Sequence, residues 1–162
     1  VSDYQLIQQL VYSYAGRIDA GDFEAVAALM AEAKLIFLPS AEVLEGSRQV
    51  FAAHDLRVKI YPHTGTPCTT HYVNNLVIKI DGDQASAQSL FTVTQGLENF
   101  PLQTIMAGRY YDKFVKERDL WRFSERTIAP EYFGDLSFHL NDFEKPQNNN
   151  IHNTKITRKV QL

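Results

Sequence analysis

The stretch Thr70-His71-Tyr72-Val73-Asn74-Asn75-Leu76-Val77-Ile78-Lys79-Ile80 begins a run of long β-type segments, and that run decides the fold. Three more follow it, over residues 85–95, 103–116 and 120–128. Asp81-Gly82 supplies the first connection, because both residues tolerate the positive φ of a tight hairpin. The other connections are short and polar, as a meander of antiparallel neighbours requires. Strands of ten residues or more twist strongly, so the sheet is expected to curl into a cone.

What precedes this run is helical. Ser2 and Gln5 have the spacing of a capping box, in which each side chain satisfies an orphan amide of the first turn. Ile7, Leu10, Val11, Tyr14 and Ile18 then follow the i, i+3, i+4 rhythm of a single buried stripe. Gly21 ends this helix and Asp22 caps a second through Phe23, Val26, Ala27 and Met30. Leu35-Ile36-Phe37-Leu38 reads as a short strand stopped by Pro39. Ser47 begins a third helix with Val50, Phe51 and His54 on one side. Pro62, Gly65 and Pro67 mark residues 61–68 as a loop. Helices first and strands afterwards indicate an α+β fold, with the curled antiparallel sheet wrapped around the N-terminal helices. Residues 1–140 form one domain on this reading. Residues 141–162, with Asn148-Asn149-Asn150 and few large apolar groups, read as a polar tail that a neighbouring subunit could order.

The chain has 162 residues, 44% of them apolar, and a formal charge of −3, which fits one ordinary globular domain and not a nucleic-acid binder with a basic face. No apolar run approaches the ~20 residues of a membrane helix. The opening Val1-Ser2-Asp3-Tyr4 lacks the features of a secretory signal, and the single Cys68 excludes an internal disulfide, so a cytoplasmic location is expected. No glycine cluster cradles a phosphate, and His63, Cys68 and His71 match no standard zinc spacing, so neither cofactor nor metal is expected.

Polar groups stand where core side chains would be expected. Asp19 follows directly on the apolar stripe of the first helix and lies on its flank. His71 sits near the start of the first long strand, and alternation places Val73, Asn75 and Val77 on its face. Tyr14 lies on the stripe itself. Arg126 falls, by strict alternation from Trp121 and Phe123, on the opposite face of its strand; only a bulge would turn it inward. Trp121 and Phe123 are expected to pair across the hairpin with Phe114 and Asp112.

Tyr14 and Asp19 five apart, the Gly21-Asp22-Phe23 break, Thr70-His71-Tyr72 with Asn75, Gly108-Arg109-Tyr110-Tyr111-Asp112 and Trp121-Arg122-Phe123 occur in the order of a known family. Over residues 6–128 the chain resembles the SnoaL-like branch of the nuclear transport factor 2-like superfamily. Within it the sequence is similar to scytalone dehydratase, bile-acid 7α-dehydratase and gamma-hexachlorocyclohexane dehydrochlorinase. The resemblance implies a deep cavity and a catalytic pair, Asp19 with His71. Tyr14 corresponds to a tyrosine of the bile-acid enzyme, where the dehydrochlorinase has a lysine. Arg126 corresponds to an arginine of the dehydrochlorinase. The second tyrosine of scytalone dehydratase falls near Phe37 or Leu38 here.

The implied activity is a cofactor-independent lyase of dehydratase type, in which His71 removes a carbon-bound proton from an apolar, ring-containing or polycyclic small molecule. Asn75, Phe37, Phe51, His54, Phe91 and Tyr110 are the expected substrate-binding residues. An isomerase or cyclase using the same base, and a non-catalytic ligand-binding or oxygenase β-like subunit, are the alternatives. Family relatives assemble as trimers or dimers, and a homo-oligomer is expected.

Overall fold

The computed structural model describes residues 1–142. Three helices, α1 (Asp3–Asp19), α2 (Phe23–Leu29) and α3 (Gly46–Arg57), pack with six strands: β1 (Lys34–Phe37), β2 (Glu42–Glu45), β3 (Thr69–Asp81), β4 (Gln84–Leu97), β5 (Phe100–Glu117) and β6 (Leu120–Phe133). One sheet holds all six in the order β2-β1-β6-β5-β4-β3. Neighbours run antiparallel except β1 and β6, which are parallel. The curled sheet stays unclosed, with the helices against its concave side, as the α+β reading expected.

Local chemistry sets the elements. The Ser2–Gln5 capping box starts α1, and Asp22 caps α2 by accepting from the Ala25 amide. Between them lies a Schellman closure: Gly21 N–H donates to the Ile18 carbonyl and Asp22 N–H to that of Arg17. Gly21 takes φ +70°, and a Cβ there would stand 2.7 Å from the Gly65 carbonyl oxygen. The helix end is thus pressed against the loop leading into β3, which brings Asp19 to the first residues of that strand.

Two β-bulges correct the alternation inferred from sequence. In β3 the register shifts between Asn74 and Val77, and Asn75 adopts φ 52°. The inward phase passes there from His71 and Val73 to Leu76 and Ile78, so Asn75 and Val77 are exposed and do not share the His71 face. In β6, Glu125 pairs with Lys113 but Phe123 with Phe114, leaving Ser124 extra. Phe123, Arg126 and Ile128 therefore all point inward, and Arg126, not Phe123, stands opposite Asp112. Trp121 pairs with Lys116, not with Phe114 or Asp112.

The strand β2 was not expected from sequence. Helix α3 begins at Gly46, with no side-chain cap from Ser47. Of the tail expected over 141–162, residues 143–162 lie outside the described residues. Asn141 packs on α3, its amide donating to the Arg57 carbonyl and its side chain to that of Leu56.

Candidate active site

The end of α1 and the start of β3 meet around one carboxylate. Asp19 Oδ2 accepts the His71 backbone N–H at 2.7 Å, and Oδ1 accepts the Thr69 hydroxyl at 2.8 Å. His71 Nδ1 lies 2.5 Å from Oδ1. A ring nitrogen this close to a carboxylate oxygen carries a proton, so in the neutral form of the ring Nε2 is the unprotonated nitrogen. Burial alone would raise the Asp19 pKa; the hydrogen bond and charge of His71, its backbone N–H and the Thr69 hydroxyl more than offset this and hold the carboxyl below its ordinary value. The His71 side chain is 9% exposed and that of Asp19 20% exposed, so the pair is largely withdrawn from bulk water.

His71 opens onto a cavity of about 150 Å³. Its wall is mainly apolar, with Ile18, Phe37, Phe91, Val93, Met106 and Ile128 among the lining residues. Tyr14, Tyr110, His54 and His139 add polar atoms. Phe91 and Tyr110 stack with ring centroids 4.4 Å apart. Of the expected contact residues, Phe37, His54, Phe91 and Tyr110 lie on the wall. Phe51, 36% exposed on α3, and Asn75, turned out by the β3 bulge, do not.

Arg126 is fully buried beside the cavity but not on its wall. Its Nε and Nη2 donate to the two carboxylate oxygens of Asp112 at 2.7 and 2.8 Å. The guanidinium lies 4.3 Å from the ring centroids of both Tyr14 and Tyr110, and 4.8 Å from that of Phe123. Burial drives the Tyr14 hydroxyl to a pKa of about 12, even though the Arg126 charge pulls it down. Tyr14 is therefore a protonated hydrogen-bond donor at neutral pH. Burial pushes Tyr110 up as well.

Three residues around the site escaped the sequence reading. Thr69 shares the His71 face two residues earlier and was legible by alternation. Asp112 became visible only once the Ser124 bulge turned Arg126 inward. His139 follows the last strand, where no period gives a direction. It is 7% exposed, and burial lowers its pKa to about 4. Burial also lowers that of His54, whose Nδ1 donates to the Val50 carbonyl at 2.8 Å. Among the described residues no three His, Cys, Asp or Glu side chains group as metal ligands, and no helix is long and apolar enough to cross a membrane.

These depressed histidines give stability a pH dependence. Between pH 6.5 and about 4 the unfolded chain takes up a proton at His139 that the native state refuses, so stability falls as pH falls through this window. A displacement of this size corresponds to roughly 3 kcal/mol for a fully buried group. Urea unfolding at pH 7 and pH 4.5 is expected to show a smaller difference in the His139→Phe variant than in the parent.

Curled α+β sheets over an N-terminal helical hairpin, with a cavity between, define the class of nuclear transport factor 2-like proteins with a cystatin-like fold. The chain belongs to the SnoaL-like domain family, whose pattern matches residues 1–127. A search of curated proteins finds no match. Among solved structures, the chain is similar to a putative scytalone dehydratase from Novosphingobium aromaticivorans, at 18% identity, 94% coverage of this chain, 95% of that one and a TM-score of 0.64. It is similar to LinA at 18% identity, 83% and 89% coverage and a TM-score of 0.65. An NTF2-like protein with a cystatin-like fold, also from N. aromaticivorans, shares 19% identity over 79% of this chain and 81% of that one, with a TM-score of 0.68. At these identities the likenesses show the fold.

Proposed function

We propose that the protein is a lyase of dehydratase type, working without a cofactor on a small, mostly apolar ring compound. The observation that carries this reading is the carboxylate-held imidazole of His71 at the wall of an apolar cavity. His71 Nε2 takes a proton from a carbon next to a carbonyl, and the C–H electron pair moves into an enolate. The Tyr14 hydroxyl donates to the developing oxyanion. The enolate then expels a hydroxide from the neighbouring carbon, and the imidazolium returns its proton to it, so one water leaves and one C=C bond forms. A positioned base contributes roughly 10²–10⁴-fold, and an oxyanion donor roughly 10²–10³-fold. Arg126 is a positioning residue on this reading, acting through the Tyr14 ring. The exposed Tyr72 and Val77 on the outer side of β3 fit assembly with further copies of the chain.

The test uses 3-hydroxycyclohexanone in buffered D₂O, followed by proton NMR. Cyclohexenone formation by the parent protein, lost in His71→Ala, is expected. Deuterium entry at carbon without loss of water would favour the isomerase or cyclase reading. Binding of the ketone with neither outcome would favour a ligand-binding protein.

A further inference from the structure

The His71–Asp19 pair accounts for one polar region of the cavity. It leaves unused two more imidazoles, His54 from α3 and His139 from the segment after β6, both on the wall and both more than nine-tenths buried. Among the described residues His139 Nδ1 is buried without a hydrogen-bond partner, a condition that costs free energy unless a ligand or water relieves it. Its backbone, by contrast, is firmly held. His139 N–H donates to the Leu136 carbonyl and its own carbonyl accepts from Lys59 N–H. Next to it, the Phe138 carbonyl accepts from the Tyr61 hydroxyl and Gln95 Nε2, and Leu140 bridges to Val58. Residues 136–141 thus form a strap pinned across the end of α3, and the strap presents the His139 imidazole at the cavity.

His54 supplies the complementary half. Its Nδ1 proton is committed to the Val50 carbonyl, so Nε2 is a bare acceptor.

We propose that His54 and His139 together hold a hydroxyl group of an uncharged, single-ring substrate, as a second polar pole of the cavity beside His71. The hydroxyl donates its proton to His54 Nε2, and its oxygen accepts from the Nδ1–H of His139. The role rests on the lyase reading only in calling the ligand a substrate.

Size and charge define the class. A cavity of about 150 Å³ is the size that takes one benzene ring; a polycyclic compound exceeds it. Burial keeps both imidazoles neutral at pH 7. The cation on the wall, Arg57, is held in a two-pronged pair with Glu42 at 2.8 and 2.6 Å. A carboxylate on the ligand would therefore lose its hydration without gaining a free positive partner.

The experiment measures binding of phenol, toluene, benzoate and 2-naphthol to the full chain by calorimetry, with side-chain ¹⁵N spectra of the histidines. Phenol is expected to bind more tightly than toluene, with benzoate and 2-naphthol at least tenfold weaker than phenol. Phenol should shift the ring nitrogens of both His54 and His139 in the parent protein, a readout that needs no variant to fold. His139→Phe is expected to weaken phenol at least tenfold while changing toluene less than threefold, and His139→Gln to recover part of the loss. Equal losses for phenol and toluene, unmoved His54 and His139 resonances, or tight benzoate or 2-naphthol binding would each overturn the proposal. Because phenol undergoes no elimination, phenol binding through His139 in a protein that leaves 3-hydroxycyclohexanone unchanged would keep this inference and remove the lyase reading. Turnover dependent on His71 with phenol indifferent to His54 and His139 would do the reverse.

Discussion

His71→Ala is expected to lower kcat for a true substrate by about 10³-fold or more, with the fold retained. The side chain contributes one ring at the cavity wall, and its removal deletes the only imidazole that a carboxylate holds in a fixed tautomer among the described residues. Asp19→Asn is expected to fall in the same range by a different route. Its amide can present a donor to His71 Nδ1, which then becomes an acceptor and moves the ring proton to Nε2. In a comparable carboxylate–imidazole pair, that exchange costs about 10⁴-fold. The two substitutions should be far from additive, because either one leaves no competent base. The double variant is expected to lie within a few-fold of His71→Ala alone, measured as kcat/KM. A product of the two separate losses would mean that Asp19 and His71 act independently, which the geometry does not allow. Stability supplies a control. Asp19 titrates below its ordinary value in the native state, so it stabilises the fold above the unfolded carboxyl pKa, and this support is lost as pH falls through the native one. Asp19→Asn should remove that acid-side dependence, whereas a pure loss of catalysis would leave it in place.

The parts of the structure that were legible in sequence are those that depend on local chemistry. Ser2 and Gln5 fix the start of α1, Gly21 and Asp22 fix its end, and the four long strands follow from uninterrupted β-type runs. The pairing of Asp19 with His71 was implied by resemblance, and the Schellman turn that delivers it was visible only as a glycine. What was not legible depends on register. Strand β2 has four residues and a single buried side chain, Leu44, too short for a period to emerge. Asn75 and Arg126 were both assigned to faces by strict alternation, and in both strands a bulge reversed the assignment. Asn74-Asn75 did carry a signal, since asparagine adopts positive φ more readily than most residues. Ser124 carried none. His139 lies in irregular chain, where the direction of a side chain is set by tertiary hydrogen bonds and not by any repeat.

Arg126→Met is expected to destabilise the protein by about 3–5 kcal/mol, because Asp112 would remain as a buried charge without its partner. In a domain of this size that corresponds to a fall in Tm of roughly 10 °C. Asp112→Leu alone should cost as much, now stranding the guanidinium between Tyr14, Tyr110 and Phe123. The double variant Arg126→Met/Asp112→Leu is expected to recover most of the lost stability, since both desolvation costs disappear together. Thermal unfolding of the four proteins checks this. Activity should not recover with it. The Arg126 charge lowers the pKa of the Tyr14 hydroxyl, against burial, which raises it. Without that charge Tyr14 becomes a poorer donor to an oxyanion, so kcat should stay depressed in a protein whose Tm has returned. Adding Tyr14→Phe to the double variant should then cost less than Tyr14→Phe costs in the parent. If the folded double variant instead turns over at the parent rate, the ion pair is only a structural element of the sheet, and Tyr14 donates without its help.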